Sequence, residues 1–225
     1  MVQYYLGLSF LSTKQSKTRI ELRAEARRLL SLLEGRPILD NEIAKEENGR
    51  PFFPGRDTDF NISHSGNMVV VSLVKGQNPR HELKMRTGCD IELVRPRVNA
   101  PLIADEFFSA VERDYIFPHG EKHYDVARFF HIWTLKECFL KLRGLSVFDM
   151  VKAPSFIDNE GRLHFVFDDV HFMLYELSDG GSERYFLAAA LEGNIQLKPV
   201  IQWFSEASLS QRILLTNTPD SKYHN

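Results

Sequence analysis

The sequence predicts an α+β protein of two similar lobes, a pseudo-dimer within one chain, each lobe a small antiparallel sheet packed with helices. Three observations carry this expectation. Each half of the chain holds one long helical pattern, from about Lys14 to Glu34 and from about Tyr124 to Leu142. Each half also holds several apolar runs of strand length. Between the halves, RPRVNAP at 95–101 breaks the chain. The expected division is an N-terminal lobe at 1–97, a C-terminal lobe at 98–204 and a polar tail at 205–225. No repeat is visible at the level of residue identity.

The elements follow in order. VQYYLGLSF at 2–10 reads as a strand rich in aromatics. In the first helix Ile20, Leu22, Ala26, Leu29, Leu30 and Leu33 recur among arginines, and Gly35 closes it. Residues 47–60 are turn-rich, with NG, RP and PG, and the small polar cluster NISHSG follows at 61–66. MVVVSLV is a strand within 67–75, residues 76–86 are a polar loop, and GCDIELV at 88–94 is a strand with alternating faces. ADEFFSAVERDYIF at 104–117 predicts two short helices, with Ser109 as an N-cap and Glu112 three residues on. The helix from Tyr124 is apolar almost all round, which describes a buried helix. Strands are expected near 163–167, 172–177, 185–191 and 197–203.

The 225 residues suffice for a real core, and 43% hydrophobic with 26% charged residues is ordinary for a globular protein. A net charge of -2 gives no sign of a general nucleic-acid or membrane-surface binder, although a local basic pocket for a small anion is compatible with it. There is no recognisable signal peptide and no apolar stretch of spanning length. With only Cys89 and Cys138 as cysteines, a reducing, cytoplasmic setting is expected.

Three places carry chemistry. Asp90 and Glu92 sit two apart in a strand and so share a face. They either face solvent or hold a hard cation such as Mg²⁺, because paired carboxylates repel unless positive charge lies between them. In WTLKECFLK at 133–141, Glu137 and Lys141 share a helix face, with Trp133 one turn earlier. A surface salt bridge is the simple reading, yet charges on a helix this apolar call for partners. Lys136, Glu137 and Lys141 would all find them in a magnesium–phosphate complex. Third, Asn61, Ser63 and His64, with Arg50 upstream, form a donor-rich group. It is either a turn whose polar side chains cap their own backbone or a grip for phosphate.

In combination these motifs are specific. NGRP at 48–51, FNISHSG at 60–66, GCDIE at 88–92 and WTLKECFLK at 133–141 occur in order, and the chain resembles the 4′-phosphopantetheinyl transferases of the surfactin-synthetase-activating type. The resemblance implies transfer of the phosphopantetheine arm of coenzyme A to a serine of an apo acyl or peptidyl carrier protein, with release of adenosine 3′,5′-bisphosphate. It implies Mg²⁺ held by Asp90, Glu92 and Glu137, and catalysis by Glu137, Lys141 and Asp90. It implies coenzyme A contacts from Arg50, Ser63, His64, Lys136 and Lys141, with Arg19 as a further phosphate contact or, equally, part of a solvated arginine face. Arg50 stands where the family usually has lysine, Cys89 where an aliphatic residue is common, and Cys138 where Ala or Ser is common. The segment before Arg19 is shorter than in long family members. The region around Phe107, Phe108, Tyr115, Ile116 and Phe117 either docks the carrier or is ordinary core. One working monomer is expected, since both lobes lie in one chain. Two rivals stay open: another magnesium-dependent phosphoryl-transfer enzyme, disfavoured by the lack of a Walker or Rossmann glycine loop, and a binding-only relative.

Overall fold

A computed structural model describes residues 2–11, 17–76, 85–120, 123–178, 183–193 and 197–204. Two four-stranded sheets form its centre. The first has the order β10-β1-β5-β4, from β1 (Gln3–Phe10), β4 (Thr58–Ser65), β5 (Met68–Lys75) and β10 (Val200–Trp203). The second has the order β6-β9-β8-β7, from β6 (Arg86–Leu93), β7 (Val166–Phe167), β8 (Val170–Ser178) and β9 (Arg184–Glu192). A ribbon of β2 (Ala44–Lys45) and β3 (Pro51–Phe52) lies beside the first. Leu6, Leu8 and Val70 of one sheet meet Cys89, Ile91 and Leu187 of the other in a shared apolar layer. On the outer faces, helix α1 (Arg19–Glu34) covers the first sheet and α4 (Val126–Arg143) the second. The class is α+β, as expected.

The expected lobe boundary does not follow the sheets. β6 precedes residue 97, yet it pairs along β9 in the second sheet. β10 follows residue 98, yet it returns to the first sheet and runs parallel to β1. Alternation along a strand shows which face is apolar but not which edge it will join. The polar tail expected at 205–225 and residues 77–84 of the expected polar loop lie outside the described residues.

Local signals place the helices. Thr18 caps α1, its hydroxyl accepting from the Glu21 amide while Glu21 reaches back to the Thr18 amide. This capping box, not the polar residues from Lys14, fixes the start. Gly35 ends the helix at φ 74. α2 (Ala100–Phe107) and α3 (Ala110–Ile116) are the two short helices expected, and Ser109 and Glu112 form the second capping box. Of the large apolar residues there, Phe108 and Ile116 are buried, and Phe107, Tyr115 and Phe117 pack against the same core. α4 starts at the Asp125 cap and buries residues all round, including Phe129, Ile132, Leu135 and Cys138.

Gly88 permits α4 to approach β6. A Cβ there would stand 2.8 Å from the Cys138 carbonyl and 2.9 Å from Leu142 Cβ. Gly88→Ala is therefore expected to destabilise by about 1–3 kcal/mol, read from urea unfolding, because backbone must yield on one side or the other.

NISHSG is a strand, not a turn. It forms most of β4, and the turn comes only at Gly66 and Asn67, where Gly66 adopts φ 54. The reason lies across the chain. β4 and β6 are edge strands of different sheets and share no backbone ladder. Instead, alternate side chains of β4 accept the outward amides of β6: Thr87 to Asp59 at 2.8 Å, Cys89 to Asn61 at 3.4 Å, Ile91 to Ser63 at 3.2 Å and Leu93 to Ser65 at 3.0 Å. Small polar residues at every second position satisfy an edge that would otherwise be bare.

Candidate active site

This polar seam builds the site. It fixes β6 so that Cys89 and Ile91 turn into the core between the sheets while Asp90 and Glu92 turn to the opposite face, beside α4. Burial pushes both thiols up, Cys89 to about 11, and both are free.

Asp90 is buried at 3% exposure, so the solvated reading of the D-x-E pair fails for it. Its Oδ1 accepts from Ser63 Oγ at 2.9 Å and from Lys141 Nζ at 2.5 Å. Lys141 also donates to Ser63 Oγ at 2.8 Å. Burial works against the Lys141 ammonium, but the charge and hydrogen bond of Asp90 outweigh it and hold the group well above its usual range. Glu92 Oε1 accepts from Trp133 Nε1 at 2.9 Å, and its Oε2 from Ser65 Oγ at 3.1 Å and Arg97 Nη2 at 3.4 Å. Burial and then the charge of Asp90 push its carboxyl up.

Glu137 completes the cluster from α4. Burial, then Asp90, raise its carboxyl to about 7, with Glu92 adding to the rise and Lys141 and Arg97 drawing it down. Asp90 Oδ2 is buried and has no hydrogen-bond partner among the described residues. An orphaned carboxylate oxygen beside two strained carboxylates suits a hard divalent cation, whose preferred ligands are oxygens. Among the described residues no three such side chains yet stand close enough to enclose a metal ion. Asp90 and Glu92 are held instead by Lys141 and Trp133.

His64 lies on the outer face of β4, next to this cluster. Burial and then the Lys141 charge lower its imidazole, with Arg19 acting the same way. Arg19 opens α1 and His64 lies near the end of β4.

Two expected site residues are elsewhere. Arg50 is 5% exposed and clamps Asp59 with both Nη atoms, at 2.8 and 2.6 Å. The same guanidinium donates to the carbonyls of Lys141 and Thr87. Its donors fasten the NGRP turn to α4 and β6, so no fork is left for phosphate. Lys136 is 2% exposed and pairs at 3.1 Å with Glu112, which is fully buried. Neighbouring residues on a helix point about 100° apart, so Lys136 cannot share the face of Glu137 and Lys141. Lys136→Met is expected to cost about 3–5 kcal/mol by stranding the Glu112 charge, and Lys136→Met with Glu112→Gln to recover much of it, in urea unfolding of both proteins.

Two contributors escaped the sequence reading. Ser65 lies in the small polar cluster NISHSG without being singled out by it, yet it donates to Glu92. Arg97 lay in the segment read as a chain break, and only its position just after the strand of Asp90 and Glu92 hinted at a role.

Comparison with known proteins bears on this arrangement. Residues 86–190, from β6 through most of β9, match the 4'-phosphopantetheinyl transferase superfamily. The 4'-phosphopantetheinyl transferase AcpT of Salmonella typhi is 33% identical over 164 residues, which is 69% of this chain and 81% of the relative. AcpT of Escherichia coli K12 is 34% identical over 133 residues, 55% of this chain and 62% of the relative. A 4'-phosphopantetheinyl transferase of Bacillus subtilis is 30% identical over 148 residues, covering 64% and 59%. The chain belongs to the 4′-phosphopantetheinyl transferase superfamily and is an enzyme of that class, which moves the phosphopantetheine arm of coenzyme A to carrier proteins.

Proposed function

We propose that this chain carries out Mg²⁺-assisted transfer to a serine of an apo acyl or peptidyl carrier protein, as a transferase of the surfactin-synthetase-activating type. The observation that carries the reading is Asp90 Oδ2, buried and without a hydrogen-bond partner among the described residues, in a carboxylate paired with Lys141 and flanked by Glu92 and Glu137. Asp90, Glu92 and Glu137 would hold the cation, which supplies charge stabilisation for the pyrophosphate oxygens when bound.

This chain's own residues do the rest. Lys141, charged and fixed by Asp90 and Ser63, lies where it can pair with a pyrophosphate oxygen. Glu137 is in this reading both a ligand for the cation and the base that takes the proton of the carrier serine; in the cation-free protein burial pushes its carboxyl up to about 7. The serine oxygen then bonds to the β-phosphorus, the bond from that phosphorus to the bridging oxygen breaks, and adenosine 3′,5′-bisphosphate leaves. Such a step depends on positioning and charge more than on covalent help from the protein. His64 and Arg19 are placed in this reading at the phosphates of the nucleotide, and Ser63 acts through Lys141 and Asp90.

Both parts of the site come from one chain, the seam strand from the first sheet and α4 from the second lobe, which supports a working monomer. The two unbridged thiols suit a cytoplasmic setting, and among the described residues no helix is long and apolar enough to cross a membrane. Carrier docking falls to the C-terminal lobe, where Leu102 and Phe148 are exposed.

The test is release of adenosine 3′,5′-bisphosphate from coenzyme A in the presence of an apo carrier. Chelation should stop it and added Mg²⁺ restore it. Full activity after exhaustive chelation would overturn the magnesium reading.

A further inference from the structure

The acid cluster has a cation on each flank. Lys141 closes the Asp90 side. On the Glu92 side stands Arg97, and its seat is built. Its Nη2 lies 3.4 Å from Glu92 Oε2. Its Cζ stands over two rings, 5.2 Å from the centre of Trp133 and 5.0 Å from that of Phe130. Its backbone is pinned by Tyr124, whose hydroxyl accepts from the Arg97 amide at 2.6 Å and donates to the Arg97 carbonyl at 3.0 Å. Trp133 meanwhile donates to the other oxygen of Glu92. Arg97, Trp133 and Glu92 thus form one unit, with the Arg97 side chain one-third exposed.

A fixed positive charge here has opposite effects on two ligands. It repels a divalent cation approaching Asp90, Glu92 and Glu137, and it occupies an oxygen of Glu92 that such a cation would need. It attracts the pyrophosphate that follows, and once Glu92 turns to a cation the guanidinium is released to meet phosphate oxygens bidentately.

We propose that Arg97 couples the two bindings: it keeps affinity for a divalent cation alone weak and strengthens binding of the cation together with pyrophosphate. This rests on the functional reading above. Coupling of this kind is reciprocal, so each ligand raises affinity for the other by the same factor. Arg97 is a positioning residue in the cation-free protein and a pyrophosphate contact in the loaded one.

The experiment measures Mn²⁺ binding by electron paramagnetic resonance and coenzyme A binding by calorimetry, each with and without the other, on the full chain. No carrier is present, so nothing turns over. Arg97→Gln should bind Mn²⁺ alone about fivefold tighter or more, bind coenzyme A with Mn²⁺ several-fold weaker, and lose most of the coupling. Arg97→Lys, which keeps the charge, should hold Mn²⁺ affinity near that of the unaltered protein. Any other pattern in Arg97→Gln, with both affinities unchanged, both weaker or both tighter, overturns the proposal and leaves Arg97 a packing element. An unaltered protein that binds neither ligand would sink the functional reading itself. One that binds both without coupling would sink this inference alone.

Discussion

Glu137→Gln is expected to lower kcat/KM for carrier modification by about 100-fold or more, the usual contribution of a general base, with the cation site damaged as well. The same change should stabilise the cation-free protein at neutral pH. The sign follows from the direction of the shift. Unfolded, the Glu137 carboxyl ionises near 4.5; folded, burial and Asp90 hold it at about 7. Between those values the folded state binds the extra proton, so stability falls as pH rises through that window and stays lower above it. The penalty is at most about 3 kcal/mol at pH 8, and glutamine removes it. Urea unfolding in chelator at pH 5 and pH 8 should show the two proteins drawing apart only at the higher pH. An inactive variant that is less stable at pH 8 would mean Glu137 is held by contacts, not strained by its neighbours.

Arg50→Ala should have a large effect on stability. It leaves Asp59 beside the seam without its guanidinium and takes one donor from the Lys141 carbonyl and one from the buried Thr87 carbonyl. Breaking a buried pair in this way costs about 3–5 kcal/mol, which for a chain of this size lowers the melting temperature by roughly 10 °C. If Arg50 is a tie between the NGRP turn, β6 and α4, the KM for coenzyme A should hold at a temperature where the variant is folded. A raised KM with unchanged melting would restore Arg50 as a phosphate contact.

The parts of the fold written in local pattern were legible. The Thr18 and Ser109 caps, the glycine after α1 and the all-round apolarity of α4 each depend on residues within a few positions of one another. So does the shared face of Asp90 and Glu92, and that of Glu137 and Lys141. What depended on distant partners was not legible. Asn61, Ser63 and Ser65 look like turn residues until β6 arrives with unpaired amides. Arg50 and Lys136 carry charges that suit a phosphate, but each is claimed by an acid, half-buried Asp59 nine residues on and fully buried Glu112 one helix back. The return of β10 to β1 likewise leaves no mark in its own four residues. Arg97 was hidden because a Pro-rich break gives no hint of a ring-lined seat.

The most direct test of the account is intact-mass spectrometry of an apo acyl carrier protein, and of an apo peptidyl carrier, incubated with this protein, coenzyme A and Mg²⁺. The account predicts a gain of one phosphopantetheine arm on the carrier serine, lost on chelation and lost with Glu137→Gln. No gain on either carrier, from a protein that binds coenzyme A and Mn²⁺, would contradict it and leave a binding-only relative.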